Sequence, residues 1–174
     1  MKAISLWQPW AHLIAQGYKT METRTWPTNY RGDLLICSAK RYDRVVKEHI
    51  DMFRIPEAWQ CLFDEEEGYP KLPLDFEPLL GFALAVVNVV DCIELSEQRK
   101  ERETWRRAAC FPCPYATDGE WSLEGRYGWI LEDLRPIESP WPIKGSQGFY
   151  EVDFEGQGRA QKSKPEEDPQ ISLV

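Results

Sequence analysis

The sequence predicts an α+β protein that is mainly β, a partly open β-barrel with flanking helices. Apolar runs of strand length outnumber helical stretches, their spacing is uneven, and the longest, GFALAVVNVVDCIEL at 81–95, is apolar almost throughout. Uneven spacing excludes the regular strand–helix alternation of a doubly wound parallel sheet. A run as apolar as 81–95 belongs to a central strand covered on both faces.

Residues 2–7 read as the first strand. A helix follows that begins at Pro9, carries Trp10, Leu13 and Ile14 on one side and stops at Gly17. Lys19 then falls just past a helix C-terminus. The period changes at Thr20, and 20–26 reads as a strand ended by Pro27. Thr20, Glu22, Arg24 and Trp26 share one face of it, because side chains alternate along a strand. A loop through Asn29 and Gly32 leads to a strand at 33–39. Residues 41–66 read as helical with an interruption near Pro56, and 65–78, holding three Pro and one Gly, as a loop. After the central strand, 96–107 reads as a charged helix, and Pro112, Pro114 and Gly119 mark a second loop. Strands at 126–135 and 149–154, joined by PIKGSQGF, complete a domain spanning 1–154. Residues 155–174, rich in Gly, Gln, Lys, Pro and acid, read as a disordered tail.

A chain of 174 residues supports one hydrophobic core. Its net charge of −8 argues against nonspecific coating of nucleic acid, which draws its affinity from neutralising phosphates. The charge is uneven, however. Residues 1–54 carry nine Lys/Arg against five Asp/Glu, and the remainder twelve against twenty-four. A basic region on an acidic protein suits a nucleotide-sized anionic ligand better than a long duplex. Five cysteines, an odd number, without a secretory signal indicate reduced thiols and a cytoplasmic protein. No apolar run is long enough to span a bilayer, so no membrane partner is expected. The pair Cys110–Cys113 has one C-x-x-C and no second pair to complete a zinc site; no metal and no cofactor are predicted.

The segment from Gly17 to Arg24 gathers two cations and a carboxylate. Arg24 offers a planar fork for a phosphate or base edge, Lys19 a point charge, and Glu22 an acceptor for an amino group of a base. The plain structural alternative is a surface ion-pair cluster. Trp7, Trp26 and Trp129 are candidates to stack a base, and equally candidates for core packing. Lys40 and Arg41 are phosphate candidates, diluted by no acid but Asp43.

The run Ser5-Leu6-Trp7-Gln8-Pro9-Trp10, followed by the G-x-K-x-x-E-x-R pattern of Gly17, Lys19, Glu22 and Arg24, resembles the signature of the ASCH domain family. Tyr30-Arg31-Gly32, Val90-Asp91-Cys92, Tyr127-Gly128-Trp129, Leu134-Arg135-Pro136 and Pro142-Ile143-Lys144-Gly145 agree with it in order. The resemblance implies a PUA-like barrel that binds RNA or a modified nucleoside through the cleft holding the motif. The candidate ligand-binding set is Trp7, Gln8, Lys19, Glu22, Arg24, Trp26, Arg31, Lys40 and Arg41. Some relatives are hydrolases that deacetylate N4-acetylcytidine with a Lys, a Thr three residues on and a distant Glu. Lys19 matches that Lys, but Glu22 stands where the Thr nucleophile would, and the acid corresponds to Asp91 or Glu94. A carboxylate does not replace an alkoxide nucleophile, so binding is the expected function. An amidohydrolase using Lys19, Glu22 and Asp91 is one alternative, and an adaptor for a protein partner is the other. Cys37 stands where relatives often carry His, which would alter the cleft if that position faces it. Oligomeric state is left open.

Overall fold

The computed structural model describes residues 1–42, 79–96, 98–109 and 123–154. Along them run β1 (Lys2–Gln8), α1 (Trp10–Ala15), β2 (Met21–Arg24), β3 (Gly32–Tyr42), β4 (Phe82–Glu94), α2 (Arg102–Ala109), β5 (Tyr127–Pro142) and β6 (Phe149–Glu151). The six strands form one sheet in the order β2-β5-β4-β3-β1-β6. β1 and β3 are parallel, and the other neighbours are antiparallel.

The sheet is not closed by hydrogen bonds, but it curls. β5 and β6 are four strand spacings apart, roughly 19 Å if the sheet were flat. Yet Trp129 of β5 stacks on Phe149 of β6 with ring centroids 5.1 Å apart. Aromatic packing thus draws the two ends together, and the result is the mainly β, partly open barrel that the sequence predicts. Inside lie Ile4, Leu6, Leu34, Ile36, Val87, Val89 and Trp129, covered by Ala11, Ile14 and Ala15 of α1. The alternate residues Ala3, Leu35 and Cys37 join Val86 and Ile137 in a second cluster, as strand alternation requires. β4 lies between β3 and β5, and Ala83 through Val87 are all buried, so it is covered on both faces there.

Several boundaries differ from the sequence reading. β2 ends at Arg24 and not at Trp26, because β5 begins at Tyr127, opposite Arg24, and gives Thr25 and Trp26 nothing to pair with. β3 continues past residue 39 to Tyr42, opposite Gln8 of β1, so Lys40 and Arg41 lie on a strand. β5 runs to Pro142 and not to 135. β2 pairs only as far as Ile130, which leaves the rest of that edge of β5 without a described strand, and an edge tolerates prolines that lack an N–H. α2 starts at Arg102, later than residue 96. The predicted helix beyond residue 42, the loops at 65–78 and 110–122, the Cys110–Cys113 pair and the tail lie outside the described residues. Among the described residues no helix is long and apolar enough to cross a membrane, and no group of three His, Cys, Asp or Glu could hold a metal.

Cys37 belongs to the second cluster, away from the barrel interior that holds Trp129, so its thiol does not face the cleft as the sequence comparison allowed. Burial pushes it up to about 11, from an ordinary value of 9.0, and a hydrogen bond with Tyr150 opposes this weakly. Burial also raises the Tyr150 phenol. Between pH 9 and 11 the unfolded thiol loses its proton while the folded one keeps it, so the stability contribution present below pH 9 is lost as pH rises. Urea unfolding should show stability falling by on the order of 2 kcal/mol over that window. Cys37→Ala should flatten much of the slope; an unchanged slope would assign it to other groups.

Candidate functional site

Lys19 is placed by the end of α1. Gly17 adopts φ +81, a conformation that glycine reaches without strain, and the N–H groups of Gly17 and Tyr18 donate to the carbonyls of Ile14 and Leu13 at 2.9 Å. This Schellman stop turns the chain, and Lys19 N–H also donates to Leu13 O. The side chain therefore goes inward and is only 4% exposed. Its Nζ donates to Met21 O at 2.6 Å and Ala109 O at 2.7 Å, lies 3.6 Å from Glu22 Oε2 and sits over the Trp10 ring. Two carbonyls take its hydrogen bonds, and the Glu22 carboxylate stands at ion-pair distance.

Glu22 and Arg24 occupy successive same-face positions of β2, opposite Trp129 and Tyr127. Glu22, 8% exposed, is held between two cations: Oε2 faces Lys19, and Oε1 lies 3.1 Å from Arg24 Nε. The Arg24 N–H is not aligned on that oxygen, and Nε is left buried without a hydrogen bond. The Arg24 side chain is 28% exposed, with its guanidinium carbon 6.0 Å from the centre of the Trp129 ring. The tips of Lys19, Glu22 and Arg24 thus come together, but only Arg24 presents appreciable surface.

Beside Arg24 lies an aromatic cluster. Trp26 meets Trp129 edge-on at 4.7 Å and Phe149 at 5.6 Å, and Tyr30 packs on Phe149 at 5.4 Å. Trp26 has left the strand, yet its indole remains at the site and is 36% exposed. Trp129 is fully buried, and its Nε1 has no hydrogen-bond partner.

The other candidates are dispersed. Arg31 is committed: it donates to Thr28 O, Tyr30 O and Asp91 Oδ1. Asp91 lies opposite Ile130, whereas Glu22 lies opposite Trp129, so the register does not unite Asp91 with Lys19 and Glu22. Thr23, opposite Gly128, also faces away from Glu22. Gln8 is fully buried; its Nε2 donates to Leu79 O and its Oε1 accepts from His12 N–H, so it clamps the start of α1. Trp7, 49% exposed, lies at the end of β1, where Gln8 pairs with Tyr42. Lys40 and Arg41 are at that same end of β3, about 30 Å along the strand from Arg31. Phe149 and Tyr30 escaped the sequence reading as members of the site; Tyr30 carries a signal, since it opens one of the quoted segments.

The model of the ASCH domain matches residues 4–141, and the chain belongs to the ASCH domain family, which is PUA-like and RNA-associated. Activating signal cointegrator 1 of Homo sapiens is 26% identical over 152 residues, 86% of this chain and 22% of that protein. The Mus musculus protein of the same name is 23% identical over 150 residues, with the same coverage. The chain therefore spans about a fifth of the length of these relatives. Among solved structures, the ASCH protein of Zymomonas mobilis matches at 15% identity and a TM-score of 0.44, covering 88% of each chain. A single-residue variant of it matches at 15% identity and a TM-score of 0.48, covering 88% of this chain and 91% of that one.

Proposed function

We propose that the protein is a cytoplasmic RNA- or nucleoside-binding module whose folded domain spans residues 1–154 and whose ligand contacts Arg24, Trp26 and the Glu22–Lys19 pair behind them. The observation that carries this reading is the state of Arg24: braced by a buried carboxylate, laid over an indole, with no described partner for its Nη groups. A fork held in that way is pre-organised for a phosphate or base edge, and the half-open Trp26 beside it offers a stacking face. Arg31, bonded to Asp91 and two carbonyls, shapes the rim. Trp7, Lys40 and Arg41 lie at the far end of β3 and suit a more distant part of a longer RNA, and Gln8 acts through the fold.

Binding is favoured over amidohydrolysis. Glu22 stands where the Thr nucleophile would, and Thr23 faces away from it, opposite Gly128. In a titration with single-stranded RNA, Arg24→Ala should weaken binding by about 1–3 kcal/mol, and Lys40→Ala less, with a reduced salt slope. The same protein should release no acetate from N4-acetylcytidine. Equal binding by Arg24→Ala and the parent would refute the site, and turnover abolished by Lys19→Ala would refute the binding-only reading.

A further inference from the structure

Resting on the reading above, we infer that the exposed face around Trp7, Lys40 and Arg41 is a second contact, which takes consecutive phosphates of a single RNA strand and stacks a base on the Trp7 indole. The ligand is then a polynucleotide and not a free nucleoside. Four pieces of chain meet at this face. On β1, Ala3 lies in the second cluster and Ser5 Oγ hydrogen-bonds the Tyr150 hydroxyl, so alternation puts Trp7 on the outer side of the sheet with them, 49% exposed. The register shifts between the pairs Leu6–Ser38 and Gln8–Tyr42, and Lys40 and Arg41, both exposed, fall in that stretch opposite Trp7. Gln8, the next residue, donates to Leu79 O and holds Leu79, 43% exposed, at the same end. The stem of Lys40 lies on Gly81, where an added Cβ would come within 2.9 Å of Lys40 Cε, and Gly81 O accepts from Ile143 N–H. The Gly145 backbone closes on Ser5, so Lys144 stands between β4 and β1, beside β3.

Charge selects the partner. Residues 5–10, 36–42, 79–85 and 139–148, which make up this end of the sheet, contain no Asp or Glu, in a chain whose net charge is −8. Other cations are answered: Lys2 by Glu151, Arg31 by Asp91 and Arg135 by Asp33. Lys40, Arg41 and Lys144 have no carboxylate partner among the described residues. The opposite end of the same strands carries Asp33, Asp91, Glu94 and Glu132. A polyanion is thus drawn to the Trp7 end. A half-exposed indole beside unanswered cations is the pairing by which single strands are held, with stacking on the ring and phosphates on the charges. An acidic peptide would answer the cations but offers no flat ring to the indole, whereas a nucleotide strand supplies both groups at every residue.

The test titrates the full chain with a labelled single-stranded RNA of about twelve nucleotides, within the span that single-strand-binding domains cover, at several salt concentrations. Lys40→Gln combined with Arg41→Gln should reduce the slope of log affinity against log salt by about 1.4, since each neutralised phosphate of a single strand contributes about 0.7. Trp7→Ala should weaken binding on the order of tenfold with the slope unchanged, and Trp7→Phe, which keeps a ring, should retain most of the affinity. The three positions are exposed, so the variants keep the fold. Unchanged slope and affinity in these variants, while Arg24→Ala still weakens binding, overturns the inference and leaves the Arg24 reading standing. The reverse pattern upholds the Trp7 face as an RNA contact and refutes the Arg24 reading. A labelled polyglutamate peptide that binds as tightly as the RNA, and is lost in the Lys40/Arg41 double variant, makes the face a protein-docking surface and overturns the inference. No binding of the RNA by the parent removes both.

Discussion

Glu22→Gln should lower the stability of the protein by about 3–5 kcal/mol, the range for removing one partner of a buried ion pair. The substitution preserves shape and volume, so packing is not the cause. It takes the one carboxylate from between Lys19 and Arg24, whose side chains are 3% and 28% exposed. Two cations then face each other across a neutral amide, one of them almost wholly out of water. Lys19 keeps Met21 O and Ala109 O, which limits the damage. Adding Lys19→Met to Glu22→Gln removes one of the two facing cations, so the double variant should be more stable than the summed single effects predict, by about 0.5–3 kcal/mol. Urea unfolding of the four proteins gives both numbers. A loss below about 1 kcal/mol for Glu22→Gln would mean that the pair behaves as a solvated surface pair.

The local parts of this site were legible in the sequence. Gly17 announces the helix stop, and the two-residue period from Glu22 to Arg24 puts their side chains on one face, because both signals act over a few residues. What escaped came from contacts distant in the chain. Nothing near Lys19 says that the Ala109 carbonyl will accept a hydrogen bond from its Nζ ninety residues away, so a residue read as a point charge in the cleft is in fact buried. Strand ends were misjudged for a related reason. β2 stops at Arg24 because β5 starts opposite it, and β3 reaches Tyr42 because β1 offers Gln8 there; a strand's length is a property of its neighbour as much as of itself. Trp26 illustrates both effects, since it leaves the strand on which alternation had placed it and returns to the same site by packing on Trp129.

Trp129→Ala should be among the most damaging single changes, at about 3–5 kcal/mol, the range for truncating a buried aromatic to alanine. The position of the ring makes the upper part of that range the expected one. Trp129 stands opposite both Glu22 of β2 and Cys92 of β4, stacks on Phe149 of β6, takes the edge of Trp26 and lies under the Arg24 guanidinium. Together with the Trp26–Phe149 contact it joins the two sides of an unclosed sheet, where no strand pairing links β5 to β6 among the described residues. Trp129→Phe should be milder, since a phenyl ring keeps the stack on Phe149 and also removes the unpaired indole N–H; the volume it leaves empty sets its effect. RNA affinity separates the two roles of the ring. If the indole serves only the core, Trp129→Phe binds single-stranded RNA as the parent does once its folded fraction is taken into account. Weaker binding by a fully folded Trp129→Phe protein would put the indole among the groups that shape the ligand site, beside Arg24.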